Sequence, residues 1–315
     1  MSQVCLSVDE VFANFSLPPI SNPGMISGEE ERLYYYLARE CYRPGSLYLE
    51  IGTWLGRSTV RICEGLSSRG DDWRLICYDK FEWLDFYAKR AADQGANGRW
   101  IEPVAKLRPG ESFEQAFLQY LSAYRDHIST RRGSLGDIGS VMDHDLQPGT
   151  EISGLFVDAS KGWPENASLL RVVGPHLAPG ETSILFQDFL YCQSYKLMFL
   201  LLGCDFLEPY LFTKSGTSVV MKLKAEIHGS EPILQDGSIK TFTVDQIYRA
   251  WERAKTYFPE WKLVDKATNL SLPLMLIERG FLAEATEELA KVHLTDETRA
   301  FAKAKISGKV ANFKP

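Results

Sequence analysis

A glycine-bearing turn occurs in the stretch Glu50-Ile-Gly52-Thr-Trp-Leu-Gly56-Arg-Ser58. The apolar run at 46–51 before it predicts a buried strand, and the helical spacing of Val60, Cys63 and Leu66 after it predicts a helix. In a doubly wound sheet, the loop that leaves the carboxyl end of a parallel strand opens onto the crevice where ligands bind. This turn is therefore the first candidate for a binding loop.

Strand and helix patterns alternate on both sides of the turn. Short apolar strands are predicted at 74–78, 152–157 and 182–186 and, less regularly, near 127–131, with helices at 27–41, 81–92, 164–173 and 194–202. The segment 210–224 alternates around Lys214-Ser215-Gly216, which is typical of a hairpin. The alternation predicts an α/β fold with a doubly wound, mostly parallel sheet and a terminal antiparallel strand pair.

The character of the chain changes near residue 225. Beyond that point the segments 244–257, 272–293 and 295–305 have helical spacing with charged faces. We therefore predict three parts: an N-terminal helical lead-in at 1–44, a ligand-binding α/β domain at 45–224 and a helical C-terminal appendage at 225–315.

Composition limits the classes of partner. The 315 residues are 45% hydrophobic and 24% charged, which is typical of a soluble globular protein. The formal charge of −6 argues against a broad nucleic-acid-binding surface, and no apolar run is long enough to span a membrane. The six scattered cysteines form no C-x-x-C pair, so we expect a reducing, cytoplasmic location. We expect a small-molecule partner, and a homodimer remains open.

The glycine spacing differs from the G-x-G-x-x-G pattern of dinucleotide-binding turns. The fuller stretch LYLEIGTWLGRSTVRICEGL at 47–66 resembles motif I of class I S-adenosylmethionine-dependent methyltransferases, in particular the catechol and caffeoyl-CoA type O-methyltransferases. This resemblance implies a Rossmann-like methyltransferase fold with S-adenosylmethionine as cofactor. It also implies that the methionine part is held by Glu50 and by the loop amides, represented by Gly52, Thr53, Trp54, Gly56 and Ser58.

Two further residues are assigned to the cofactor. By the same resemblance, Asp79 at the end of the second strand accepts both ribose hydroxyls, a role that suits an ionised carboxylate. Ser134, after the predicted strand near 127–131, is either beside the adenine or part of a plain turn.

Two acids are candidates for the chemistry. Asp158 and Asp188 each follow an apolar strand, so neighbouring strands would bring both to one rim, where carboxylates suit Mg²⁺ or Mn²⁺. The segment FVDASKGWPENASLLRVVGPHLAPG at 156–180 resembles cation-dependent O-methyltransferases. That resemblance implies Asp158 as a metal ligand and Lys161, three residues later, as general base. Gln187-Asp188 stands where the family has Asp-Asn, so the predicted ligands are Asp158, Gln187 and Asp188. Alternatively, the acids cap strands or helices.

The expected function is S-adenosylmethionine-dependent methylation of a hydroxyl on a small molecule, either a sugar or a phenolic natural product, assisted by a divalent cation. Macrocin-type sugar O-methyltransferases are a more distant resemblance. Two alternatives stay open. One is a metal-independent methyltransferase with an Asp or His base. The other is a noncatalytic S-adenosylmethionine-binding partner protein. The aromatic residues Trp83, Phe86 and Tyr87 are either ordinary core or the wall of an acceptor pocket.

Overall fold

The structure is a computed structural model that describes residues 5–12, 15–94, 104, 106–159, 161–292, 294 and 296–306, without the side chains of 90–94, 265–267 and 296–298. Its strands are β1 (Leu6–Ser7), β2 (Ser46–Ile51), β3 (Trp73–Asp79), β4 (Ile128–Arg132), β5 (Ile152–Val157), β6 (Ser183–Phe186), β7 (Leu207–Phe212) and β8 (Val219–Leu223). They form one sheet in the order β1-β7-β8-β6-β5-β2-β3-β4. All neighbouring pairs are parallel except those that β8 makes with β6 and β7. The predicted α/β sheet with a terminal antiparallel pair is thus confirmed.

The described helices connect and cover these strands. Their bounds are α1 (Val8–Val11), α2 (Gly28–Glu40), α3 (Arg57–Ser67), α4 (Asp85–Gln94), α5 (Glu114–Tyr120), α6 (Ile138–Met142), α7 (Trp163–Val173), α8 (Tyr195–Gly203), α9 (Val244–Tyr257), α10 (Glu260–Val264), α11 (Ser271–Arg279), α12 (Leu282–Leu289) and α13 (Asp296–Ile306).

Local sequence explains where several helices begin and end. Helix α2 begins after Ser27, whose hydroxyl accepts from the amide of Glu30 while the Glu30 carboxylate accepts from the amide of Ser27. The single helix predicted at 272–293 is wrong, because Gly280 takes a φ of 82° and closes α11 before α12 begins. The helix predicted at 81–92 begins later, at Asp85, because Phe81 has a φ of 50°.

Apolar residues fill both faces of the sheet. One buried cluster includes Leu37 of α2, Ile62 of α3 and Phe117 of α5, and the other includes Leu170 of α7 and Leu200 of α8. The sheet is therefore covered by helices on both faces, as a doubly wound fold requires.

The terminal segments belong to the same sheet and core. The lead-in is more than helical, because β1 adds a parallel edge strand beside β7. The C-terminal helices pack into the second cluster through residues such as Ile247 and Met275. The domain boundaries at 44 and 224 stay predictions.

The sheet topology defines one crevice. Strand β2 pairs in parallel with β3 on one side and with β5 on the other. The strand order therefore runs outward from β2 through β3 to β4 and then reverses, because the next strand, β5, lies on the opposite side of β2. Ligands of doubly wound sheets bind outside the carboxyl ends of the strands at such a reversal. The candidate binding loop after β2 and the acid after β5 both lie at this point.

The helices and the cysteines bear on where the protein is located. Within the ranges that the structure describes, no helix is long and apolar enough to cross a membrane. All six cysteines are buried with free thiols. The cytoplasmic location stays a prediction.

Candidate functional site

The turn after β2 is packed against the backbone that leaves β5. Gly52 has a φ of 84°, and a Cβ at this position would lie 2.8 Å from the carbonyl carbon and oxygen of Asp158. The amide of Asp158 donates to the carbonyl of Ile51 at 2.7 Å. Glycine at 52 therefore allows both the left-handed conformation and the close approach of the two strand ends.

Asp79, at the end of β3, holds this turn. Its Oδ2 accepts from the amides of Thr53 at 2.8 Å and Trp54 at 3.1 Å, and its Oδ1 accepts from the amide of Phe81 at 2.9 Å. Burial raises the pKa of Asp79, and these amide hydrogen bonds oppose that shift. A carboxylate has about four acceptor sites, so the predicted pairing with both ribose hydroxyls would require an amide to be released. The ribose contact stays a prediction.

Glu50 faces the helix and not the crevice. Its side chain is 1% exposed, and its two carboxylate oxygens accept from the hydroxyls of Ser58 and Thr59 at 2.6 Å each. Burial raises the pKa of Glu50 to about 7. Glu50 and Ser58 thus fix the start of α3, and their contact with the methionine part stays a prediction.

The start of α3 supplies further donors. Gly56 precedes it with a φ of 81°, and the first hydrogen bond of the helix runs from Val60 to the carbonyl of Gly56 at 2.9 Å. The first N–H groups of a helix have no acceptor within that helix and carry a partial positive charge. The amides of Arg57 and Ser58 therefore suit a carboxylate of a ligand.

The predicted adenine-side residue lies at the same edge. The carbonyl of Ser134 accepts from the hydroxyl of Tyr78 at 2.5 Å, and the Ser134 hydroxyl donates to Asp137 at 2.6 Å. The neighbouring Gly133 donates its amide to the carbonyl of Asp79 at 3.0 Å. Ser134 thus follows β4 beside Asp79, and its contact with adenine stays a prediction.

The rim after β5 and β6 holds the predicted chemical residues. Burial and the charges of Asp188, Glu30 and Glu50 raise the pKa of Asp158 well above its usual range, while the charge of Lys161 lowers it. The Lys161 Nζ lies 3.0 Å from the Asp188 Oδ2 and 4.8 Å from the centre of the Tyr191 ring. The structure therefore brings Asp158, Lys161 and Asp188 together.

Gln187 does not join them. Its side chain is 8% exposed, and its Oε1 accepts from the hydroxyl of Tyr34, a fully buried residue of α2, at 2.9 Å. Among the described residues, no group of three His, Cys, Asp or Glu side chains could hold a metal ion. Because Gln187 is bonded to Tyr34 and an ammonium pairs with Asp188, the side chains present do not fit the predicted Mg²⁺ or Mn²⁺ site.

No protein-family model and no curated protein matches this chain. Solved structures overlap with it at low identity. Cofactor-bound Rv0187 from MTB is 15% identical with a TM-score of 0.43, over 65% of this chain and 84% of that one. The O-methyltransferase NovP is 13% identical with a TM-score of 0.44, over 64% and 82% of the two chains. SAH-bound methyltransferase PaMTH1 of Podospora anserina is 14% identical with a TM-score of 0.42, over 64% and 80%. These overlaps do not establish a family.

Sequence reasoning missed the part played by α2. Its three consecutive acids accept hydrogen bonds from five residues. Glu29 accepts from the amides of Lys214 and Ser215 in the hairpin turn, and Glu30 accepts from the hydroxyl of Ser218. Glu31 accepts from the guanidinium groups of Arg57 and Arg61. No local pattern indicates these contacts, since the partners lie far away in sequence.

The three aromatic candidates divide between core and rim. Trp83 is buried and Phe86 is 50% exposed. Tyr87 lies 5.4 Å from Trp54, measured between ring centres. Burial and the charges of Asp79 and Asp158 raise the pKa of Tyr87 to about 12. Tyr87 therefore lies near both acids of the crevice.

Proposed function

We propose that this chain is an S-adenosylmethionine-dependent methyltransferase that acts on a hydroxyl of a small molecule. The observation that carries the proposal is the hydrogen bond from the amide of Thr53 to Asp79. It joins the two sequence segments that resemble cofactor-binding motifs, and it does so at the reversal of the sheet. The strand order, with β8 reversed beside the last parallel strands, agrees with the fold that the resemblance implies.

The charge of the crevice supports a cationic cofactor. Asp79, Asp158 and Asp188 lie at the carboxyl ends of β3, β5 and β6, and Glu30 and Glu50 are close enough to raise the pKa of Asp158. The ionised carboxylates at this rim attract the sulfonium and ammonium groups of S-adenosylmethionine, and those cations in turn favour the ionised forms of Asp79 and Asp158. The start of α3 offers amides to the methionine carboxylate.

When bound, S-adenosylmethionine supplies an electrophilic methyl group. The acceptor hydroxyl must lose its proton as its oxygen forms the new bond, and Asp158 is the base that we assign to that proton. A carboxylate with a raised pKa is a better base near neutral pH than an ordinary aspartate. Lys161 stands beside the same rim and can donate to the developing negative charge on the acceptor oxygen.

Binding distinguishes this proposal from its rivals. We expect S-adenosylmethionine and S-adenosylhomocysteine, but not NAD, to raise the melting temperature of the protein and to bind in calorimetry. Absence of binding by both sulfur nucleosides would refute the proposal. Methyl transfer from labelled S-adenosylmethionine to a panel of sugars and phenols then tests catalysis. Binding without transfer to any acceptor favours the noncatalytic alternative.

A further inference from the structure

Lys161 pairs with Asp188, one of the predicted metal ligands. Its ammonium group lies 3.0 Å from Asp188, and its charge acts on Asp158. The side chain of Lys161 is 47% exposed while its ammonium group contacts Asp188. The ring of Tyr191 lies beneath it at 4.8 Å. The ammonium group is therefore held by a carboxylate and by an aromatic face.

Gln187, the remaining predicted metal ligand, is bonded to other residues of the protein. The hydroxyl of Tyr34 donates to the side-chain oxygen of Gln187. The hydroxyl of Thr217 donates to the backbone carbonyl of Gln187 at 3.1 Å and lies 3.4 Å from the Asp188 Oδ1. Moving the side-chain amide oxygen of Gln187 to a metal would leave the buried hydroxyl of Tyr34 without this acceptor, which is unfavourable for a group out of reach of water. The end of β6 is thus built around hydrogen bonds within the protein.

We propose that the Lys161 ammonium is the resident positive charge of this rim, in place of a divalent metal ion. Its use in catalysis rests on the proposed function, whereas its effect on metal binding does not. In the transfer itself, the acceptor O–H proton passes to a carboxylate oxygen of Asp158. The acceptor oxygen forms the bond to the methyl carbon as the S–CH₃ bond breaks and its electron pair returns to sulfur. Lys161 donates to the acceptor oxygen, and no other reactant is needed.

The test uses the whole chain and Mn²⁺ alone, with binding followed by electron paramagnetic resonance. We expect wild type to bind no Mn²⁺ at this rim. Lys161→Gln removes the ammonium that competes with a second cation beside Asp158 and Asp188, so it should gain Mn²⁺ affinity by at least about tenfold. Lys161→Arg keeps the charge and should behave as wild type.

Lys196 provides a matched control. It pairs with Glu278 at 2.7 Å and lies 5.9 Å from the centre of the Tyr195 ring, so Lys196→Gln breaks a similar arrangement away from the rim. It should not gain Mn²⁺ binding. Melting temperatures establish that each variant is folded.

Two results would overturn the inference. One is stoichiometric Mn²⁺ binding by wild type that disappears in Asp158→Asn. The other is a folded Lys161→Gln protein that gains no affinity for Mn²⁺. S-adenosylhomocysteine binding is measured on the same wild-type sample. If wild type does not bind S-adenosylhomocysteine, the proposed function is refuted, and the Mn²⁺ result can still be interpreted.

Discussion

The amide of Thr53 donates a hydrogen bond of 2.8 Å to the carboxylate of Asp79, which lies 26 residues later in the chain. This contact fixes the turn after β2 against the end of β3. Asp79 therefore shapes the loop itself, whatever it also contacts in a ligand.

Asp79→Asn should weaken S-adenosylmethionine binding. The amide keeps one oxygen acceptor but loses the charge that receives the loop N–H groups. Hydrogen bonds to charged groups contribute about 1.5–3 kcal/mol, so we expect a loss of roughly tenfold to a hundredfold in affinity by calorimetry. Asp71→Asn, at an exposed position before β3, is the control. Equal affinities in wild type and Asp79→Asn would contradict the assigned loop.

Gly52→Ala should destabilise the protein more than its conformational strain alone explains. Gly180 has a similar φ of 75° but nothing within 4 Å of a Cβ, whereas a Cβ at Gly52 would meet the Asp158 backbone at 2.8 Å. Gly180→Ala should cost about 1–2 kcal/mol, and Gly52→Ala about 1–3 kcal/mol more. Urea unfolding measures both. Similar losses of stability in the two variants would show that the strand ends can separate freely.

Tyr34→Phe should destabilise the fold by leaving the Gln187 side chain buried without its donor. We expect a loss of about 1–3 kcal/mol in the free energy of unfolding. Adding Gln187→Leu removes both partners, so the double variant should lose less than the sum of the two single variants. Strict additivity would mean that the 2.9 Å hydrogen bond contributes no coupling. Tyr35→Phe, on the half-buried side of the same helix, should change little.

Glu50 predicts a specific dependence of stability on pH. Its pKa is about 7 in the folded protein against 4.5 as the reference, so the folded state binds the proton more tightly. The stabilisation that comes from this tighter proton binding is fully present below pH 4.5 and is lost as the pH rises through about 7. Glu50→Gln should reduce the change in the free energy of unfolding between pH 4.5 and about 7, by at most about 3 kcal/mol. Unfolding by urea at several pH values checks this. The exposed Glu40→Gln is the control, and an identical slope in Glu50→Gln would rule out this origin.

Local pattern was enough for the elements that define the sheet. The strand predicted at 46–51 agrees with the observed bounds of β2, and the hairpin around Ser215 was placed correctly. Strand alternation also put Asp79, Asp158 and Asp188 at one edge, because the carboxyl ends of parallel strands meet there. Sequence alone could not place β1 or the break at Gly280, since both depend on neighbours that are distant or on a single backbone angle.

The sequence by itself determined the crevice, its glycines and its acids, because periodicity and strand order follow from which residues can be buried. Tertiary structure alone decided where each polar side chain is directed. It turned Glu50 toward Ser58, Gln187 toward Tyr34 and Lys161 toward Asp188. These side-chain orientations depend on which residues the fold brings together, since a buried polar group takes the hydrogen-bond partner that packing brings within reach.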